Sequence, residues 1–392
     1  MTQPSTRNDW VDNLRSFITL LVIAHHASLA YATFGHFNPQ AYILSTHPVV
    51  DNARSKAIDI FLSCNDIFFM SLMFLISGIF VMPSLQRKGI PTFIRDRRNR
   101  LFIPFLVGVT LLMMLAYYPA YYQGHPQHGI KAYIIDYFTT EAWPVGPPWF
   151  IWLLYFYSYC FAKGARIWTN AINRIGKSLA AQQHRPFRIC LVAFLYSWIL
   201  YVPITLIIDP GFWIGIGPFD FQLSRFFLYG GYFVAGAIIG APGLDNGILA
   251  INSPLVKKWP LWIPAAIAAF LLIKATDVPL LSLLSDKKVT AWQYALLHST
   301  LWILSCTLTC IAFLTLFRQL ISHTSTIWRS LAANAYGMYL LHYIFVVWCQ
   351  YFLLPVNISA ISKFLITTIV GIILSWCATV ILRKSNWISK YL

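Results

Sequence analysis

Two histidines stand side by side in the apolar run D-N-L-R-S-F-I-T-L-L-V-I-A-H-H-A-S-L-A, from Asp12 to Ala30. Arg15 and His26 are eleven residues apart, which on an α-helix is three turns plus about 20°. They therefore share one face, about 16 Å apart along the axis, whereas His25 points about 80° away. A charge at the centre of a bilayer costs roughly 2.5–3.5 kcal/mol even on the lenient insertion scale, so ionisable groups in such runs mark function by default. An imidazole there can take a proton from a hydroxyl as a general base. The bland alternative is a neutral ring hydrogen-bonded to a neighbouring helix.

Two more ionisable groups fall at similar depth in other apolar runs. Asp66 lies in D-I-F-L-S-C-N-D-I-F-F-M and His342 in N-A-Y-G-M-Y-L-L-H-Y. The runs holding His26 and Asp66 are consecutive and antiparallel. A carboxylate there can orient His25 or His26 and favour its protonated form; pairing with a backbone or amide group is the other outcome. In F-I-R-D-R-R-N-R-L-F-I-P-F-L, Arg97 and Arg100 at i, i+3 lie side by side on a helix. Paired guanidinium forks suit phosphate oxygens, whether of a cofactor or of lipid headgroups. The pattern suggests a phosphate-bearing cofactor docked on Arg97 and Arg100 with help from Arg15. Its long arm would reach His26, where a hydroxyl-bearing acceptor meets it.

The elements that position these residues follow from composition. The 392-residue chain is 58% hydrophobic and only 11% charged, too little charge to cover a soluble surface. Its net charge of +16 is the basic excess of membrane-protein loops rather than a nucleic-acid footprint. Runs of about 20 apolar residues occur near 14–34, 58–83, 101–122, 148–165, 187–208, 224–242, 259–275, 293–317, 329–353 and 362–383, the seventh being short and proline-bearing. With the N-terminus inside, 21 of the 29 Lys and Arg fall on the cytoplasmic side. The expectation is one all-α polytopic domain, 1–392, of about ten transmembrane helices, with both termini cytoplasmic. Ala30-Tyr31-Ala32 is not expected to be a leader cleavage site, because His25 and His26 interrupt the apolar region before it. The seven cysteines read as membrane-buried, and His125 and His128 lack a third ligand, so no metal site is expected.

Together these stretches resemble the integral-membrane acyltransferase 3 family, which includes sugar O-acetyltransferases and the succinyltransferase of periplasmic glucans. Five blocks carry the resemblance, in order and over nearly the whole chain. Arg15 and His26 match the family's R-x10-H, and Arg97 and Arg100 its R-x-x-R with Pro104 following. The others are Phe74 to Gly78, Trp149 to Leu153, and Ala335 to His342. The resemblance implies an O-acyltransferase of the inner (plasma) membrane that moves an acetyl or succinyl group from cytoplasmic acyl-CoA to a hydroxyl of an extracytoplasmic carbohydrate. It places the CoA phosphates on Arg97 and Arg100 and the acceptor at His26. Asp66 and His342 join His26 as catalytic candidates. Trp149, Trp152 and Glu141 are substrate-binding candidates on the outer side, where aromatic faces stack on sugars, although tryptophan belts also line membrane interfaces. The doubled histidine leaves His25 or His26 open beyond helix-face geometry. Direct transfer asks less of the site than an acyl-histidine relay. No tightly bound cofactor and no nucleic-acid partner are expected, and a homodimer is left open. A transporter or flippase for a polar or lipid-linked substrate is the competing class; the lack of an internal repeat and the basic residues at one mouth only count against it.

Overall fold

The computed structural model describes residues 8–139, 143–321 and 325–392. In chain order its main helices are α1 (Asp9–Leu29), α2 (Lys56–Ile79), α3 (Ile90–Gly124), α4 (Trp149–Lys163), α5 (Ala165–Ala181) and α6 (Pro186–Thr205). They continue as α7 (Phe226–Gly240), α8 (Trp259–Ser285), α9 (Ala291–Leu320), α10 (Thr326–Leu353) and α11 (Ala360–Leu382). A two-stranded ribbon, β1 (Trp213–Ile214) with β2 (Phe221–Gln222), is the one sheet among the described residues. The chain is an all-α polytopic membrane protein.

Each of the ten expected runs is a helix, and eight helices are long and apolar enough to cross a bilayer. The two outside that criterion are α1, which carries Asp9, Asp12 and Arg15, and α4, whose 15 residues extend only about 22 Å. These two carry the histidine pair and the candidate sugar-stacking tryptophans. The seventh run is longer than its sequence suggests. α8 continues through Lys274 and Pro279 to Ser285, because the ammonium of Lys274 is met by Asp277 at 2.9 Å and Ser63 at 3.4 Å.

α3 shows how prolines build a scaffold in a bilayer, where a freed carbonyl must find a donor within the protein. Pro104 has no N–H to offer the carbonyl of Arg100 four residues back. The helix there widens to i→i+5 bonding over Arg98–Phe102, and the hydroxyl of Tyr336 on α10 donates to Arg100 O at 2.5 Å. Pro119 likewise frees Leu115 O, which accepts from Trp348 Nε1 of α10 at 3.0 Å. A second widened segment, Gly108–Leu112, leaves Val109 O to accept from Tyr137 at 2.6 Å. Polar side chains thus staple α3 to α10, bringing the Arg97–Arg100 pair beside the helix of His342.

Close backbone contact fixes α2 against α7. A Cβ on Gly78 would sit 2.0 Å from Phe233 O, and Cβ atoms on Gly236 and Gly240 would sit 2.0 Å from Leu75 O and Ile79 O. Only hydrogen fits in such a small-residue seam. Between α1 and α2 the chain folds back over the end of the bundle opposite the arginines. Asp51 in this segment forms a buried ion pair with Lys363 of α11 at 2.6 Å.

Candidate active site

His26 lies on the last turn of α1 and faces the bundle interior, its ring 5.1 Å from that of His342 and 5.3 Å from that of Tyr343. Their hydrogen bonds fix the protonation pattern. His342 Nδ1 lies 2.7 Å from Tyr339 O, which can only accept, so Nδ1 of His342 carries the hydrogen. Its Nε2 is then a lone pair, 3.2 Å from His26 Nδ1. His26 Nδ1 also lies 2.9 Å from Val22 O. Facing two acceptors, it must be the donor. The remaining nitrogen of His26, Nε2, holds the free lone pair of the neutral ring. This is the tautomer a general base needs, held by a fully buried second histidine.

A third layer, with no anticipated member, supports this pair. The carbonyls of His26 and Ala27 belong to the last turn of α1 and lack helical donors. Gln350 of α10 donates to both from its Nε2, at 3.0 and 3.1 Å. Its Oε1 accepts from His47 Nε2 at 2.8 Å, and the Tyr343 hydroxyl lies 3.5 Å from His47 Nδ1. His47, buried in the segment between α1 and α2, has its imidazole pushed down to about 4, chiefly by that burial. Gln350 left one legible trace, an amide within V-V-W-C-Q-Y-F-L-L; His47 left none, being 303 residues away in sequence.

The arginines define a second region. Arg15, Arg97 and Arg100 line one cavity of about 500 Å³ with Arg87 and Lys88. The cavity runs inward between α1 and α10 as far as Thr19 and Tyr339. Tyr339 is the residue whose carbonyl anchors His342, so the cavity ends one turn short of His342 along α10 and about two turns short of His26 along α1. The Tyr339 hydroxyl donates to Pro147 O in the segment Gly146-Pro147-Pro148 that leads into α4. Gly146 has φ of +54° and presses on Met113, where a side chain would collide with the sulfur.

Of the remaining candidates, Asp66 is partnered differently from expectation. Asp66 bonds neither His25 nor His26; it forms a bidentate pair with Arg225, Nη2 to Oδ2 at 2.6 Å and Nη1 to Oδ1 at 2.9 Å. A guanidinium offers two charge-assisted donors where an imidazole offers one, and His342 supplies the orientation expected of the carboxylate. His25 turns from His26 and stacks on Phe69, centroids 5.0 Å apart. Trp149 stacks on Tyr229 at 5.9 Å and meets Trp213 edge-on at 5.5 Å. Trp152 donates from Nε1 to Asp220 O at 2.9 Å, so its polar edge holds the ribbon loop. Glu141 lies outside the described residues.

A bundle of membrane helices holding a hydrogen-bonded imidazole pair near a cationic cavity defines a polytopic membrane protein with a polar centre. The chain belongs to the acyltransferase 3 family, whose model, an acyltransferase domain, matches residues 8–380. It is a membrane acyltransferase. Comparisons with curated proteins and with solved structures give no significant match.

Proposed function

We propose that the protein transfers an acetyl or succinyl group from cytoplasmic acyl-CoA to a hydroxyl of an extracytoplasmic carbohydrate, in the inner (plasma) membrane, with His26 as general base. The observation that carries this reading is the His342–His26 contact, which leaves Nε2 of His26 free to accept a proton. The cationic cavity ending at Tyr339 supports it, since Arg15, Arg97 and Arg100 suit the phosphates of a CoA ester whose arm passes toward the imidazole. His26 Nε2 takes the hydroxyl proton as the acceptor oxygen attacks the thioester carbonyl. The C–S bond breaks, and the departing thiolate recovers that proton from His26 as free CoA. General-base assistance of this kind contributes about 10²–10⁴-fold. His342 is a positioning residue in this scheme.

The test is incubation of purified protein with radiolabelled acetyl-CoA or succinyl-CoA and envelope carbohydrate. Release of CoA that depends on the added carbohydrate, with label in the carbohydrate, is expected. Label retained on the protein after CoA is removed would replace direct transfer by an acyl-histidine relay, and absence of any transfer would return the transporter reading.

A further inference from the structure

The Asp66–Arg225 ion pair lies outside the histidine cluster and has no part in the steps above. Asp66 lies ten residues into α2 from Lys56, about 15 Å along the helix. Arg225 is enclosed: its side chain is 8% exposed, its guanidinium lies 4.8 Å over Trp302, and Nη1 also reaches Tyr229 Oη at 3.4 Å. Asp66, although doubly bonded to it, keeps 43% of its side chain open. At membrane depth a carboxylate open to that extent faces an internal polar space rather than lipid.

What borders that space has the chemistry of a sugar site. One turn beyond Asp66 on α2, Phe69 stacks on His25, whose Nδ1 has no protein partner and whose ring is 5.6 Å from that of His26. In the other direction Tyr229 leads to Trp149 and then to Trp213, which is 44% exposed on the ribbon. A carboxylate that accepts from hydroxyls, next to aromatic faces that cover C–H surfaces, is how proteins hold polyols. The charge balance narrows the class. Both terminal nitrogens of Arg225 are committed to Asp66, so no guanidinium fork is left for an incoming carboxylate or phosphate, and the pair is neutral as a unit.

We infer that Asp66, held by Arg225, recognises a hydroxyl of the acceptor, that Trp149 and Trp213 form the wall on which its sugar rings stack, and that the acceptor is an uncharged carbohydrate. This deepens the proposed acyl transfer and rests on it for the word acceptor, but the binding site itself does not require turnover.

The test uses the full-length protein in lipid nanodiscs, with methyl glycosides of the common hexoses and of the matching hexuronic acids as probes. Quenching of tryptophan fluorescence reads binding, and transfer of label from acetyl-CoA reads turnover. Wild-type protein binds neutral glycosides and rejects the uronates by at least about 100-fold, because a second carboxylate beside Asp66 is repelled. Asp66→Asn weakens glycoside binding about 10- to 100-fold, the worth of a charged hydrogen bond, and leaves the KM for acetyl-CoA unchanged. Because Asp66→Asn strands Arg225 and can impair folding, Trp213→Ala on the exposed ribbon serves as the second variant and weakens binding in the same direction. Equal binding of uronates, no binding of any neutral glycoside, or wild-type affinity in both variants overturns the inference. Selective binding of neutral glycosides without label transfer leaves it standing and overturns the acyl-transfer reading instead.

Discussion

Replacing His342 by leucine separates a positioning role from a basic one. The Nδ1–H of His26 is shared between Val22 O at 2.9 Å and His342 Nε2 at 3.2 Å. Leucine fills similar space and gives up the His342 contact to Tyr339 O within α10, but toward His26 it removes only the second acceptor, while Val22 O still selects the tautomer that leaves Nε2 free. The loss is part of one hydrogen bond, about 1 kcal/mol, so kcat falls about 5-fold at 1.36 kcal/mol per decade. Loss of the base itself costs about 10²–10⁴-fold. The assay is acceptor-dependent release of CoA thiol at saturating acceptor, with kcat and the two KM values resolved. His342→Gln, whose amide oxygen can accept from His26, returns kcat to within about 2-fold of wild type. A His342→Leu protein as inactive as His26→Ala would refute the tautomer argument and make His342 the base.

Three further outcomes follow from the same contacts. Arg97→Ala with Arg100→Ala raises the KM for acyl-CoA about 10- to 100-fold, the worth of one or two charged hydrogen bonds, with acceptor KM unchanged; unaltered donor KM returns the pair to a lipid-facing basic cluster. Lys363→Met leaves the Asp51 carboxylate buried and uncompensated and destabilises the fold by about 3–5 kcal/mol, whereas the double change with Asp51→Asn recovers most of it; thermal midpoints in detergent measure both, and equal midpoints for single and double variants would contradict the pairing. His47 makes stability fall on acidification. Its imidazole titrates near 4 in the fold and near 6.5 when unfolded, so the penalty is absent above pH 6.5, grows as pH drops, and reaches roughly 3 kcal/mol by pH 4. His47→Gln flattens that part of the profile of midpoint against pH; an unchanged profile assigns the acid sensitivity elsewhere.

Helices were legible because bilayer thickness imposes a run length that the sequence must obey, and all ten runs are helical. The shared face of Arg15 and His26 was legible for the same reason, since a continuous helix converts spacing into direction. Partners across helices were not. Nothing in D-I-F-L-S-C-N-D ties Asp66 to Arg225, 159 residues on, because a single sequence shows polarity but not which polar groups meet. The reach of α8 beyond residue 275 was hidden for the same reason: the charge of Lys274, near the end of the expected run, is satisfied by Asp277 within the helix. Pro104 was noticed as a motif residue, yet its effect depends on Tyr336 arriving from α10 to take the carbonyl of Arg100. Gln350 and Lys363, polar residues set in apolar runs, were readable signals of buried contacts, and their partners His47 and Asp51 lie in a loop with no periodicity to interpret.

The central claim is that Nε2 of His26 accepts the acceptor's proton, and the direct measurement is the rate of acceptor-dependent acyl transfer by His26→Ala protein that is monodisperse and retains the wild-type thermal midpoint. The account predicts a fall of at least about 100-fold with acyl-CoA binding intact. A rate equal to wild type in that folded variant would contradict it.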